Sequence, residues 1–166
     1  NNLSFSFSTV SINHSEEVIL KMPTASVVAS KDKKIVKNIA EILAMPYFKT
    51  YQLSDVVGVE ICGALKNICA IAMGICDESR LGDNARGSLL TLGLMEMNSF
   101  GRYFGAERAT VYGLAGVGDL IATCFSSHSR NRFVGQQLAK KRSLNEIKKE
   151  MHGMVAEGVA TTRAMH

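Results

Sequence analysis

The sequence predicts a mostly α chain: an all-helical C-terminal domain preceded by the last strands and helix of an incomplete α/β domain. Three observations carry this. Residues up to 53 alternate strand-like and helix-like patterns, whereas from Asp55 onward the apolar spacing is helical. The chain has 166 residues, enough for one domain with a real core, or for one domain and part of another. At 46% hydrophobic and 20% charged it has an ordinary globular composition. The expected division is 1–53 and 54–166.

The elements follow in order. Leu3 to Val10 alternates Phe and Ser, a period-two strand signal. Thr24 to Ser30 reads as a buried strand of Val and Ala. Asp32 to Ala44 is an amphipathic helix with Ile35, Ile39, Ile42 and Leu43 on one face, stopped before Pro46. Phe48 to Leu53 is a short strand. Strand, helix, strand signifies a parallel sheet, and this segment supplies too few strands to complete one. Val56 to Ile75 is almost wholly apolar or small, hence a buried central helix. Gly82-Asp83-Asn84 opens a second long helix through Leu89, Leu90, Met97, Phe100 and Phe104, with Gly105 as its stop. Glu107 to Tyr112, a glycine corner at Gly113 and Asn131 to Lys140 come next. Ser143 and Glu146 form an S-x-x-E capping box for a short helix ending near Gly153. A last helix begins near Glu157.

Composition narrows the function classes. The net charge is +4. Basic residues in 31–37 and 140–149 lie on amphipathic helices and read as solvated faces, so no nucleic-acid partner is expected. No apolar run reaches the roughly 18 residues of a membrane span, and no signal-peptide pattern is present. The first residue is Asn1, which suggests a fragment, a processed chain or an incomplete gene reading. Cys62, Cys69 and Cys76 are spaced by seven on one helix, about 10 Å apart. That is too far for a disulfide or a shared zinc ion, so they read as small buried residues in a reducing, cytoplasmic compartment. The four histidines are scattered without metal-ligand spacing, and no metal is expected.

Chemistry concentrates in Gly113 to Arg132. Gly113, Gly116 and Gly118 permit positive φ and close backbone approach before the apolar run Leu120-Ile121-Ala122. Asp119 falls in the first turn of the ensuing helix, and Thr123 lies one turn along on the same face. Ser126, Ser127 and Ser129 are candidate N-caps for a further helix whose first turn carries Arg130 and Asn131. Such an end holds phosphate well, and arginine adds a bidentate clamp. The same pattern also suits a plain helical corner with a capping aspartate. Gly116 and Gly118 begin a dinucleotide fingerprint, but Ile121 stands where the third glycine belongs.

Lys66 and Asn67 form the second signal, inside the apolar helix among Ile61, Cys62, Leu65, Ile68 and Ala70. Buried lysines are rare unless paired, and a desolvated amine is a candidate acid/base. Asp119 has most claim as its carboxylate partner; Glu60 lies on another helix face. A lysine whose stem packs while its head reaches water is the competing reading.

Five strings together resemble NAD(P)-dependent glycerol-3-phosphate dehydrogenase of the bacterial type. They are Gly58-Val-Glu-Ile-Cys-Gly-Ala-Leu-Lys66-Asn67, Gly82-Asp-Asn-Ala-Arg86, Gly113-Leu-Ala-Gly-Val-Gly-Asp119-Leu-Ile-Ala-Thr123, Ser129-Arg130-Asn131-Arg132 and Met154-Val-Ala-Glu157-Gly158. The resemblance runs from about Pro23 to the end. It implies a 6-phosphogluconate dehydrogenase C-terminal-like helical domain after the remnant of a Rossmann dinucleotide-binding domain. It implies hydride transfer between sn-glycerol 3-phosphate and dihydroxyacetone phosphate, with NAD or NADP, in glycerophospholipid precursor synthesis. It assigns Lys66 as acid/base with Asp119 and Thr123 as catalytic companions. Lys66, Asn67, Asp119, Thr123, Ser129, Arg130 and Asn131 contact the substrate, and Arg130, Val155 and Glu157 contact the cofactor. A homodimer is possible. The family's Gly-Pro-[Ser/Thr]-Phe-Ala loop has no match at Ser11-Ile12-Asn13-His14-Ser15, and no complete G-x-G-x-x-G is present. The alternative is a truncated, non-catalytic helical module used for oligomerisation or binding.

Overall fold

The computed structural model describes residues 8–12, 15–152, 154 and 156–165. Contacts divide the chain into two compact units. One comprises the chain up to Gly63 together with Asn98–Asp119; the other comprises Ala64–Met97 and the chain from Leu120.

The first unit is built on a three-stranded sheet in the order β1-β2-β3. Its strands are β1 Ser8–Ile12, β2 Thr24–Ala29 and β3 Phe48–Leu53. β2 and β3 run parallel, with Thr24 opposite Phe48 and Ala29 opposite Leu53. Between them lies α2, Lys33–Leu43, as the strand–helix–strand pattern predicts. The Asp32 side chain accepts a hydrogen bond from the Lys34 amide and starts α2; the helix ends at Ala44, two residues before Pro46. Val27, Val28 and Ala29 are consecutive and fully buried, the mark of a strand covered on both faces. Val27 and Ala29 pack with Val59 and Ala115, flanked by Leu53, Val56 and Leu114.

Two details differ from the sequence reading. β1 is antiparallel to β2 and occupies residues 8–12, so the strand signal starting at Leu3 lies partly outside the described residues. A short helix, α1 Ser15–Ile19, precedes β2 without having been expected. It buries nothing, so no apolar periodicity announces it.

Two long helices, α3 Val56–Glu78 and α4 Gly82–Tyr103, each contribute to both units. Asp55 anchors the start of α3: its carboxylate accepts from the Gly58 amide and from the Glu107 amide, both at 2.8 Å. It thereby also sets the entry of α5, Arg108–Val111. Gly105 does end its segment with a positive φ of 86°. By length and composition α3 passes the test for a membrane span, with mean hydropathy 1.7 over its best window, as the core helix of a globular protein also does. Length and composition do not separate a span from a core helix, and its Val59, Cys62, Ala70 and Met73 are buried against protein.

The second unit adds α6 Asp119–Phe125 (from Leu120), α7 Arg130–Ala139, α8 Leu144–Glu150 and α9 Glu157–Met165. α3 and α7 cross at a glycine pair. A Cβ on Gly135 would stand 1.9 Å from the Ile71 carbonyl oxygen and 3.0 Å from Gly74 Cα. A Cβ on Gly74 would stand 2.0 Å from the Arg132 carbonyl oxygen. Val134, Ile147, Met151 and Ala156 form the core under α7, α8 and α9. α8 carries the full capping box read from Ser143 and Glu146.

Candidate functional site

The glycine corner is a single π-helical turn, Leu114–Gly118, that runs directly into α6. Gly118 donates its amide to the Gly113 carbonyl, five residues back. Positive φ is not what its glycines supply: Gly113 has φ −94°, and the glycines with positive φ among the described residues are Gly82 and Gly105. Gly116 supplies close approach instead, since a Cβ there would stand 1.8 Å from the Val111 carbonyl oxygen. Asp119 emerges from this turn as the first residue of α6, 1% exposed. Within the same unit, burial pushes the Cys62 thiol up to about 12, with the charges of Asp55 and Asp119 adding to the rise. Thr123 follows one helical turn later and is also buried.

In the second unit, three helices meet at a buried amide node. The Asn131 side-chain amide donates to Asn67 Oδ1 at 2.9 Å, and Asn131 Oδ1 accepts from the Gly158 amide at 2.9 Å. Both asparagines are buried. A Cβ on Gly158 would stand 2.6 Å from the Asn67 carbonyl oxygen, so glycine alone fits there. The node ties α3 and the first turns of α7 and α9 together. It puts Arg130 beside Glu157, whose carboxylate accepts from Arg130 Nη2 at 3.2 Å, both side chains about half exposed. Ser129, among the three serines considered, is the N-cap of α7 and accepts from the Arg132 amide. Lys66 is half-buried on α3, one residue before Asn67 and one turn after Cys62, rather than sequestered. Val155 lies outside the described residues.

Sequence reasoning missed one part-buried group. Asp77, near the end of α3, accepts from Arg86 Nε at 2.6 Å on one carboxylate oxygen and from Arg132 Nε at 2.7 Å on the other. A carboxylate three turns past Lys66 on an apolar helix was its only signal.

The described residues offer no cradle for a dinucleotide's pyrophosphate. The turn from β2 into α2 is Ser30-Lys31-Asp32, without glycine, and the Asp32 carboxylate already caps that helix. Gly116 is packed on its own chain.

Comparison with known proteins fits this geometry. Residues 55–166 match the family model described as the C-terminus of NAD-dependent glycerol-3-phosphate dehydrogenase. The chain is 51% identical over 150 residues to glycerol-3-phosphate dehydrogenase [NAD(P)+] of Solidesulfovibrio magneticus, covering 90% of this chain and 45% of that one. The relative of the same name from Geobacter metallireducens is 52% identical over 148 residues, covering 89% and 44%. The crystal structure of glycerol-3-phosphate dehydrogenase from Coxiella burnetii superposes with a TM-score of 0.92 at 39% identity, covering 96% of this chain and 49% of that one. The fold is thus the mostly helical one the sequence predicts. The chain belongs to the NAD-dependent glycerol-3-phosphate dehydrogenase C-terminal family. It spans less than half the length of the curated relatives it matches.

Proposed function

We propose that this chain is the substrate-binding and acid/base part of a glycerol-3-phosphate dehydrogenase. The reaction is NAD(P)-dependent interconversion of sn-glycerol 3-phosphate and dihydroxyacetone phosphate, serving glycerophospholipid precursor synthesis in the cytoplasm. The observation that carries this reading is the buried Asn67–Asn131–Gly158 node. It brings the residue after Lys66, the residue after Arg130 and the residue after Glu157 to one point, and those three strings were recognised separately along the chain.

In this reading residues 1–53 are the remnant of the dinucleotide-binding domain and 54–166 the helical substrate domain. Lys66 gives a proton to, or takes it from, the oxygen on C2 of the substrate. Asp119 orients that amine, and Thr123 and Asn67 hold hydroxyl or carbonyl groups. The first turn of α7 receives the phosphate: Ser129 and Asn131 shape it, and Arg130 supplies the cationic clamp. Arg130, Val155 and Glu157 touch the dinucleotide, whose pyrophosphate is held elsewhere. No nucleic acid or membrane partner is part of this reading, and the active form is a homodimer.

The test is a chimera joining this chain to the N-terminal half of the Geobacter relative, assayed for dihydroxyacetone phosphate-dependent oxidation of NADH or NADPH. Turnover by the chimera and its loss in Lys66→Ala, with the fold retained, are the expected results. Near-normal turnover in Lys66→Ala sinks the role of Lys66. A folded chimera without turnover favours a non-catalytic helical module.

A further inference from the structure

We propose that Asp77 is a positioning residue for the phosphate end of α7, acting through Arg132. This rests on the phosphate-site reading and deepens it. Asp77 is nearly buried, its side chain 9% exposed, and each of its oxygens serves one arginine. Arg86 Nε takes Oδ1 at 2.6 Å; Arg132 Nε and Nη2 both take Oδ2, at 2.7 and 2.6 Å. Arg132 sits in the first turn of α7. Its amide donates to the Ser129 cap at 3.3 Å, and its Nη1 donates to the Ser126 carbonyl at 3.4 Å. One residue therefore joins three places: its guanidinium holds the end of α3 and the loop before α7, and its amide holds the α7 cap. Two guanidinium N–H groups converging on one oxygen restrain its direction as well as its distance. Arg86 closes the far side and is itself tied to Asp83 at 2.8 Å. This gives a role to the Gly82-Asp83-Asn84-Ala85-Arg86 string, which the substrate contacts leave without one.

Charge and geometry make opposite forecasts for Asp77→Asn. Removing a carboxylate from this region raises the local positive potential, and on charge alone an anion should bind more tightly. If Asp77 instead holds Arg132 and the cap in place, its loss loosens the turn that grips the anion and binding weakens.

The experiment titrates inorganic phosphate and glycerol 3-phosphate into the whole chain, wild type and Asp77→Asn, with amide hydrogen exchange on both proteins without ligand. Expected are an anion affinity about tenfold weaker and lost protection at the Arg132 and Phe133 amides, while the α8 amides keep theirs. Unchanged or tighter anion binding with α7 still protected overturns the proposal. Should Asp77→Asn fail to fold, Arg132→Lys keeps the charge but loses the two-point contact and carries the same expectation and the same refutation. A wild-type chain that binds neither anion counts against the phosphate-site reading; the exchange measurement then decides on its own whether Asp77 sets the first turn of α7.

Discussion

Gly135→Ala sets two physical effects against each other at one atom. Alanine is the better helix former, by about 1 kcal/mol in a helix interior. Against that, the new Cβ would lie 1.9 Å from the Ile71 carbonyl oxygen and 2.8 Å from its carbon. Both obstacles are backbone, and Gly74 Cα stands behind them at 3.0 Å. No side-chain rotation relieves this, so α3 and α7 must move apart by roughly 1 Å or more before ordinary contact is restored, disturbing packing along the crossing. Overpacking of this kind costs about 1–3 kcal/mol and more where backbone must shift. We place the net loss at about 2 kcal/mol after the propensity gain, a fall in Tm of roughly 4–8 °C for a chain this size. Gly87→Ala is the matched control, because nothing lies within 4 Å of its Cβ on the exposed side of α4. That variant should gain about 0.5–1 kcal/mol. Urea and thermal unfolding of the three proteins, followed by circular dichroism, measure both. If Gly135→Ala is as stable as wild type or more so, propensity outweighs contact and the account of the α3–α7 crossing is wrong.

Other outcomes follow from the same structure. Ser143→Ala removes the hydroxyl that caps α8 and should cost about 1 kcal/mol. The Ser143 hydroxyl and amide hold the Glu146 carboxyl below its ordinary value. A depressed carboxyl stabilises above its unfolded pKa and stops doing so as pH falls through the folded one. The wild-type advantage over Ser143→Ala should therefore shrink on acidification below about pH 4.5, in stability curves taken from pH 7 to 3. Cys62 runs the other way: with its thiol raised from 9.0 to about 12, its contribution is intact below pH 9 and erodes as pH climbs toward 12. At pH 8 it should react with a thiol reagent only as fast as the chain opens, and a fast burst from Cys62 in the native protein would contradict that. Gly158→Ala drives a methyl against the Asn67 carbonyl oxygen at 2.6 Å and should weaken glycerol 3-phosphate binding together with stability. Calorimetric titration beside a melt shows whether both move.

Local chemistry was legible in the sequence, and long-range pairing was not. The Ser143–Glu146 box and the stop at Gly105 depend on residues within a few positions of one another. Spacing alone exposes them. α2 and β3 were bounded closely because proline and apolar periodicity mark their ends. Asp77 went unread because its partners lie nine and 55 residues away, and nothing local distinguishes a paired aspartate from a solvated one. The Asn67–Asn131 bond spans 64 residues, so their mutual hold was invisible although both were named as site residues. Of the two uses read for the glycine corner, close approach holds at Gly116 and positive φ does not. Glycine permits positive φ, but here the neighbouring Val111 carbonyl, not the dihedral, excludes a side chain.

The π turn at Leu114–Gly118 also sets the entry of α6. It starts from the extended Gly113 rather than from a preceding helix, and its closure five residues back offsets where α6 begins. Asp119 and Thr123 inherit that offset together, because both lie on α6 beyond the turn. Deleting any one residue from 114–118 would let the turn relax to ordinary α spacing without changing composition, charge or helix length much. It would also re-aim both side chains together, because α6 continues from the turn without a break. The orientation of two proposed catalytic residues thus hangs on a count of residues, which no point substitution in the turn can reproduce.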